Sequence, residues 1–298
     1  AGVLRARLFF DLLPLLTKTT AAGLAPVFVL LDWRAGRRTG KTVIPFFALA
    51  GIFTVIAFLG KEHTLGVLDP LTLGLVASRS VLFLIGKLVV PIGLSPIYAV
   101  TGDVIMTSVS WIALTGLVMI VFVVTRTTRK TRDIAFGWWF FFLTLAPNFF
   151  NVLKGGDIFL TTDRYAYLPS VGALFLLGLG LRKLCVANGT FSPARLRAVV
   201  AWSTAVAVMF VVIAARQTRV WQSSQTLFAH AVLLDPDFYL GHYFLGNTLR
   251  ARGLTDIAVE AYKASIIRQP KSARTHAHLA HAYAEQGKRT EAAVEYGV

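Results

Sequence analysis

The amino-acid sequence predicts an all-α protein in two parts. Residues 1–217 read as a polytopic membrane helix bundle of about six spans plus one interfacial or re-entrant segment, and residues 218–298 as a solenoid of helical hairpins. Three observations lead there. Long uncharged stretches recur through the first three quarters of the chain. Only 15% of the residues are charged, against about 25% in a soluble globule. The last quarter repeats itself at a spacing of 34 residues, as from Leu245 to Leu279.

The spans come in order. Residues 12–31 are apolar but for Lys18, and residues 42–60 carry no charge. Residues 104–125 and 134–153 are also uncharged, and 165–181 and 198–215 are shorter runs of the same kind. At ~1.5 Å per residue each can cross about 30 Å of hydrocarbon, the short ones with some thinning. Residues 70–101 are different, with Arg79 near the middle and Lys87 beyond it. An Arg at a span centre costs about 2.5–3.5 kcal/mol on insertion scales.

Charge supplies an orientation. The chain holds 30 Lys and Arg against 15 Asp and Glu. In a soluble protein that excess would suggest nucleic acid, but no basic surface interleaved with aromatics appears, so no nucleic-acid partner is expected. Basic residues instead mark cytoplasmic loops: Arg34, Arg37, Arg38 and Lys41; Arg126, Arg129, Lys130 and Arg132; Arg182, Lys183, Arg195 and Arg197. An even number of crossings must separate the first loop from the second. Segment 70–101 should therefore lie on the outer face or dip in and return, broken by Pro91 and Pro96. The same parity puts the chain from Trp221 onward outside the cytoplasm. That is the periplasm of a bacterial inner membrane, or the ER lumen in a eukaryote.

In the repeat, Leu245, Leu249, Gly253, Ala258 and Tyr262 recur as Leu279, Tyr283, Gly287, Ala292 and Tyr296. Pro270 matches Pro236, Tyr262 matches Phe228, and Ser265 matches Ala231. The pattern resembles the tetratricopeptide (TPR) repeat: two antiparallel helices, small residues where they cross, and Pro closing the second helix. It implies a surface for a protein or peptide partner. The chain starts without Met and stops inside the second helix of its last repeat, so a piece of a longer protein is expected.

On the outer side this topology gathers Lys61, Glu62, His63, Asp69, Arg79, Lys87, Tyr98, Asp103, Lys154, Asp157, and Asp163 to Tyr167. Lys18 lies roughly 9 Å along its helix from Leu12. It reads either as an intramembrane functional cation or as a snorkelling side chain. The sharpest local signal is Thr162-Asp163-Arg164-Tyr165-Ala166-Tyr167-Leu168-Pro169-Ser170. Pro169 suits the first turn of a helix, which sets Arg164 and Tyr165 at its N-terminus, where amide groups, dipole and guanidinium favour an anion such as a lipid phosphate. The other reading is an interfacial anchor. The single cysteine, Cys185, reads as a small apolar residue at a helix end, and the six histidines make no ligand pair with a neighbouring carboxylate. No metal and no cofactor are expected.

Several stretches together resemble one family. Lys18-Thr19-Thr20-Ala21 runs through Leu24-Ala25-Pro26 to Leu30-Leu31-Asp32-Trp33. Arg79, Lys87, Pro91, Leu94-Ser95-Pro96 and Tyr98 follow, then Gly137-Trp138-Trp139-Phe140 to Pro147. Asp163-Arg164-Tyr165-Ala166-Tyr167-Leu168-Pro169 precedes the repeats. This order resembles the transmembrane-and-TPR O-mannosyltransferases and their bacterial homologues of the C-type glycosyltransferase fold. The resemblance implies a membrane enzyme that takes a sugar, mannose by analogy, from a polyprenyl-phosphate donor on the outer face. The acceptor would be a protein hydroxyl presented through the repeats. Arg164, Tyr165, Lys18, Asp163 and Tyr167 would lie on the donor-phosphate side; Arg79, Lys87 and Tyr98 would face the acceptor or the interface. The family's catalytic Asp sits in a first outer loop that is expected upstream of this chain, so no residue here takes that role and activity of the piece alone is not expected. The alternative of another class is a non-catalytic membrane scaffold that presents its repeats to partners.

Overall fold

The computed structural model describes residues 23–37, 43–59, 69–100, 106–128, 131–151, 153–154, 157–187 and 190–297. The described chain is helical, with four helices long and apolar enough to cross a membrane: Pro70–Val89, Ser108–Arg126, Asp163–Leu184 and Pro193–Val220. Contacts divide it into two compact units, one ending at Thr204 and the other running from Ala205 together with Ile92–Pro96.

The first unit contains α1 (Leu24–Arg34), α2 (Ile44–Leu59), α3 (Pro70–Val89), α4 (Ser108–Thr128), α5 (Arg132–Leu145) and α6 (Tyr167–Leu184). The next helix, α7 (Pro193–Val220), runs on into the second unit and buries none of its residues, as an apolar helix facing lipid does. The bounds of α3 have local reasons. Asp69 caps α3, its Oδ1 accepting from the Thr72 amide at 2.9 Å, with Pro70 next in the first turn. These bonds to Thr72 hold the Asp69 carboxyl below the usual carboxylate range. The helix ends at Val89, two residues before Pro91.

The uncharged run 134–153 is not a single helix. Its α-helical part stops at Leu145, and a 3₁₀ turn, Ala146–Asn151, follows. Pro147 has no N–H to give the Leu143 carbonyl, so the ladder is lost there. Gly23 packs into the gap, where a Cβ would stand 3.0 Å from both the Leu143 oxygen and Pro147 Cγ.

A core of Val81, Leu84, Phe141 and Leu145 joins α3 to α5, with Leu117 of α4 and Ala173 of α6 packed on it. The Arg34 guanidinium at the end of α1 bonds Asp133 at the start of α5 (2.8 Å) and lies over the Phe136 and Phe175 rings at 5.0 and 4.8 Å.

The helix prediction did not include strands, yet two small antiparallel sheets are present. The larger has the order β1 (Tyr98–Val100), β3 (Asp157–Thr161), β2 (Leu153–Lys154). Tyr98 pairs with Thr161 and Lys154 with Asp157. Beyond α6, β4 (Val186–Ala187) pairs with β5 (Thr190–Phe191). Cys185 beside them is buried.

In the second unit α8 (Ser224–Leu234), α9 (Tyr239–Ala251), α10 (Thr255–Arg268), α11 (Ala273–Glu285) and α12 (Arg289–Tyr296) each pack on the next. Their contacts repeat with the sequence. His242 and His276 each place Nε2 2.9 Å from the carbonyl of Pro236 and Pro270 respectively. Gly253 and Gly287 close α9 and α11 at φ 77° and 76°, a left-handed turn that favours glycine. Tyr262 is fully buried against Gly246 and donates its hydroxyl to Asn247 Oδ1 at 2.7 Å.

Candidate functional site

The candidate site is built where α3, the larger sheet and the start of α6 meet. The sheet turns the chain from Thr161 into a 3₁₀ turn, Asp163–Ala166, which leads directly into α6. Pro169 falls in the first turn of α6, where its missing N–H has no partner to lose.

Three of the predicted residues come together here. Tyr98 donates its hydroxyl to both oxygens of Asp163, at 3.0 and 3.1 Å. The Lys87 ammonium lies 5.2 Å from the Phe83 ring and 5.6 Å from the Tyr98 ring, and it is electrostatically coupled to Asp163. Phe83 and Tyr98 meet edge to face at 4.6 Å. Asp163 therefore faces a cation and a phenol. That is the setting of a carboxylate fixed in place by its neighbours.

Arg164 follows Asp163, is exposed, and carries its guanidinium 5.8 Å from the Tyr165 ring. Arg164 and Tyr165 line a small pocket of about 70 Å³. Its other walls are Ser80 from α3, Asn148 and Phe149 from the 3₁₀ turn after α5, and Phe159 to Thr162 from the sheet edge. One water needs roughly 10–15 Å³, so the space takes a group the size of a phosphoryl. The walls are mostly apolar, with few polar groups.

The pocket's polar side chains differ in what they can offer. The Ser80 hydroxyl is directed at the Val76 and Leu160 carbonyls. Asn148 is buried, and Thr162 is only 5% exposed. The buried Thr162 Oγ1 has no hydrogen-bond partner among the described residues.

Other predicted site residues lie elsewhere. Tyr167 is 76% exposed and does not line the pocket. The Arg79 Nη1 donates to the buried Ser110 hydroxyl at the start of α4, at 3.4 Å, and does not line it either. Lys18 falls outside the described residues, as do Lys61, Glu62, His63 and Asp103. Among the described residues no three His, Cys, Asp or Glu side chains gather to hold a metal.

Reading the sequence missed Ser80 and Asn148 and took Thr162 only as a flank. Asn148 did carry a signal: it follows the helix-breaking Pro147 inside an uncharged run and needs a polar neighbour when buried. The sequence matches no family model and no curated protein.

Proposed function

We propose that this chain is the membrane body of a glycosyltransferase that draws a sugar from a polyprenyl-phosphate donor on the outer face of the membrane. In this reading the bundle has about six spans, with α3 lying along the outer face. The second unit is a TPR array that holds a protein acceptor in the periplasm, or in the ER lumen. The observation that carries the proposal is the pocket lined by Arg164 and by the buried Thr162, whose hydroxyl has no partner among the described residues, in an otherwise mostly apolar space just before α6.

The chemistry asks for such a site. An acceptor hydroxyl attacks the anomeric carbon, the bond from that carbon to the phosphate oxygen breaks, and a base takes the hydroxyl proton. Negative charge builds on the departing lipid phosphate, and Arg164 at the start of α6 is placed to stabilise it. Asp163 is tied to Tyr98 and Lys87, so it supports the site and we do not assign it as the base. Contacts along α3 support its outer position. Arg79 meets the start of α4, Ser80 the end of β3, and Lys87 the approach to α6.

The alternative is a membrane-anchored scaffold without catalysis, which the repeats alone would favour. A scaffold has no use for an anion pocket. Sugar transfer from a polyprenyl-phosphate sugar by membranes carrying the complete protein separates the two. Arg164→Ala should abolish transfer with insertion intact, and Arg164→Lys should recover little, because a point charge does not reproduce the planar fork. Lys154→Ala should be mild. Full transfer by Arg164→Ala would return the residue to an interfacial anchor.

A further inference from the structure

We infer that Thr162 is a second ligand-binding residue of this site, donating its hydroxyl hydrogen to a phosphate oxygen that Arg164 neutralises. The inference rests on the reading of the Arg164 junction as a lipid-phosphate site. It starts from an independent observation, the buried Thr162 hydroxyl that has no partner among the described residues.

A buried hydroxyl with no partner is destabilising, and a valine of the same shape would avoid that cost. Thr162 is 5% exposed and lines the pocket, and its Oγ1 is unpartnered among the described residues. The neighbouring Thr161 hydroxyl is directed at the Thr162 carbonyl (3.5 Å), and Ser80 at the carbonyls of Val76 and Leu160. Thr162 thus lines the pocket with an uncommitted hydroxyl.

What it lacks is an acceptor. Arg164, on the same pocket, selects a negatively charged acceptor, and five apolar wall residues, Phe149 and Phe159 among them, select one joined to hydrocarbon. A phosphate on an apolar chain meets all three demands. A free phosphate would satisfy the donor and the cation but leave the apolar walls unused.

The test uses the chain in nanodiscs of phosphatidylcholine, with farnesyl phosphate, farnesol and inorganic phosphate as probes. It reads the dissociation constant of each probe and the thermal midpoint without probe. Wild type should prefer farnesyl phosphate to both other probes. Thr162→Val should weaken that binding about tenfold, the effect of losing one hydrogen bond to a charged group, while the probe-free midpoint stays level or rises. Thr162→Ser should keep most of the affinity, which separates loss of the hydroxyl from damage to the fold.

Wild-type affinity in Thr162→Val together with weakened binding in Arg164→Ala would overturn the Thr162 inference and leave the junction reading standing. A lower probe-free midpoint in Thr162→Val would also overturn it, because the hydroxyl would then have a structural partner. Unchanged binding in Arg164→Ala, or no preference for farnesyl phosphate over farnesol, would sink the junction reading and the inference with it. Equal, Thr162-dependent binding of inorganic phosphate would support the Thr162 contact and overturn the lipid source.

Discussion

Gly137 of α5 and Gly172 of α6 meet backbone to backbone. A Cβ on Gly172 would stand 2.5 Å from the Gly137 carbonyl oxygen and 2.9 Å from the Phe141 amide nitrogen. One on Gly137 would stand 2.5 Å from Leu176 Cγ. Close approach through small residues is how helices gain packing in lipid, where no hydrophobic force drives them together. This crossing holds α6, into which the Arg164–Tyr165 wall of the pocket leads, against α5.

Gly172→Ala should therefore lower the thermal midpoint of the chain in nanodiscs, at a cost of about 1–3 kcal/mol, because its obstacles are backbone atoms that cannot rotate away. Gly178→Ala serves as the control. Its Cβ would meet nothing within 4 Å, and the gain in helix propensity should leave stability level or slightly higher. Equal melts for the two variants would show that the helices separate without cost.

The bond from Tyr98 to Asp163 joins residues 65 positions apart. It keeps the Asp163 carboxylate engaged with the phenol and with Lys87 rather than with the neighbouring Arg164. Tyr98→Phe should release that carboxylate to compete for the guanidinium, weakening farnesyl phosphate binding roughly tenfold. Adding Asp163→Asn to Tyr98→Phe should restore it, because the competing charge is gone. A silent Tyr98→Phe variant would mean the tether plays no part in binding.

The two halves of the chain were not equally legible. Gly253, Gly287 and Tyr262 announce themselves through the 34-residue spacing; the two glycines close their helices at the same positive φ, whereas Tyr262 is fully buried and its counterpart Tyr296 is exposed. Pro169 marked the start of α6 because its conformation suits few other places. The Gly137 contact was hidden, since a single Gly in an apolar helix says nothing of which helix it meets. Strands of two to five residues lie below any periodicity, so the larger sheet was invisible. The pocket inherited that blindness: Ser80, Asn148 and Thr162 come from three distant segments and meet only because the sheet turns the chain into α6.

In the second unit, Gly246→Ala should cost more than Gly253→Ala. A Cβ on Gly246 would stand 2.6 Å from Cε1 of the fully buried Tyr262, whose ring has nowhere to move. Gly253 has open space but a φ of 77°, so alanine there bears only backbone strain of about 1 kcal/mol. Chemical denaturation of the chain followed by far-UV circular dichroism should place Gly246→Ala below Gly253→Ala. The reverse order would show that the α9–α10 crossing is loosely packed.

His276 should make the docking of α12 depend on pH. Its Nδ1 stands 2.6 Å from Glu295 Oε2, and its Nε2 2.9 Å from the Pro270 carbonyl. Burial opposes the charged imidazole, but the Glu295 carboxylate and the carbonyl outweigh it and hold its pKa above the usual 6.5. A raised value stabilises the fold fully below about pH 6.5, and that contribution disappears as pH rises through the folded value. His278 runs the other way: burial, then the charges of Arg250, His281 and Arg274, hold it below 6.5, so its contribution is lost as pH falls. Hydrogen exchange of the α12 amides, corrected for intrinsic rates, should show tighter protection at about pH 5.5 than at about pH 8.5. His276→Gln should remove that difference, at a cost near 1.5–3 kcal/mol at the lower pH. Persistence of the difference in His276→Gln would assign it to another group.

The last prediction concerns sidedness. The bond from Arg34 to Asp133 sets the end of α1 beside the start of α5, where the basic loops place the cytoplasm. The bond from Tyr98 to Asp163 sets β1 beside the start of α6, which the same rule places outside. With Cys185→Ser as background, single cysteines at the exposed positions Arg132 and Tyr167 report each side. An impermeant maleimide added to intact cells should label Tyr167→Cys, and Arg132→Cys only after permeabilisation. A reporter after Trp221 should read as outside and one at Arg129 as cytoplasmic. If α3 crosses the bilayer and the rest of the order holds, the two reporters exchange sides, the one after Trp221 reading as cytoplasmic and the one at Arg129 as outside. Such a result would move the pocket at Arg164 and the repeats together to the cytoplasmic face and end the case for transfer on the outer face.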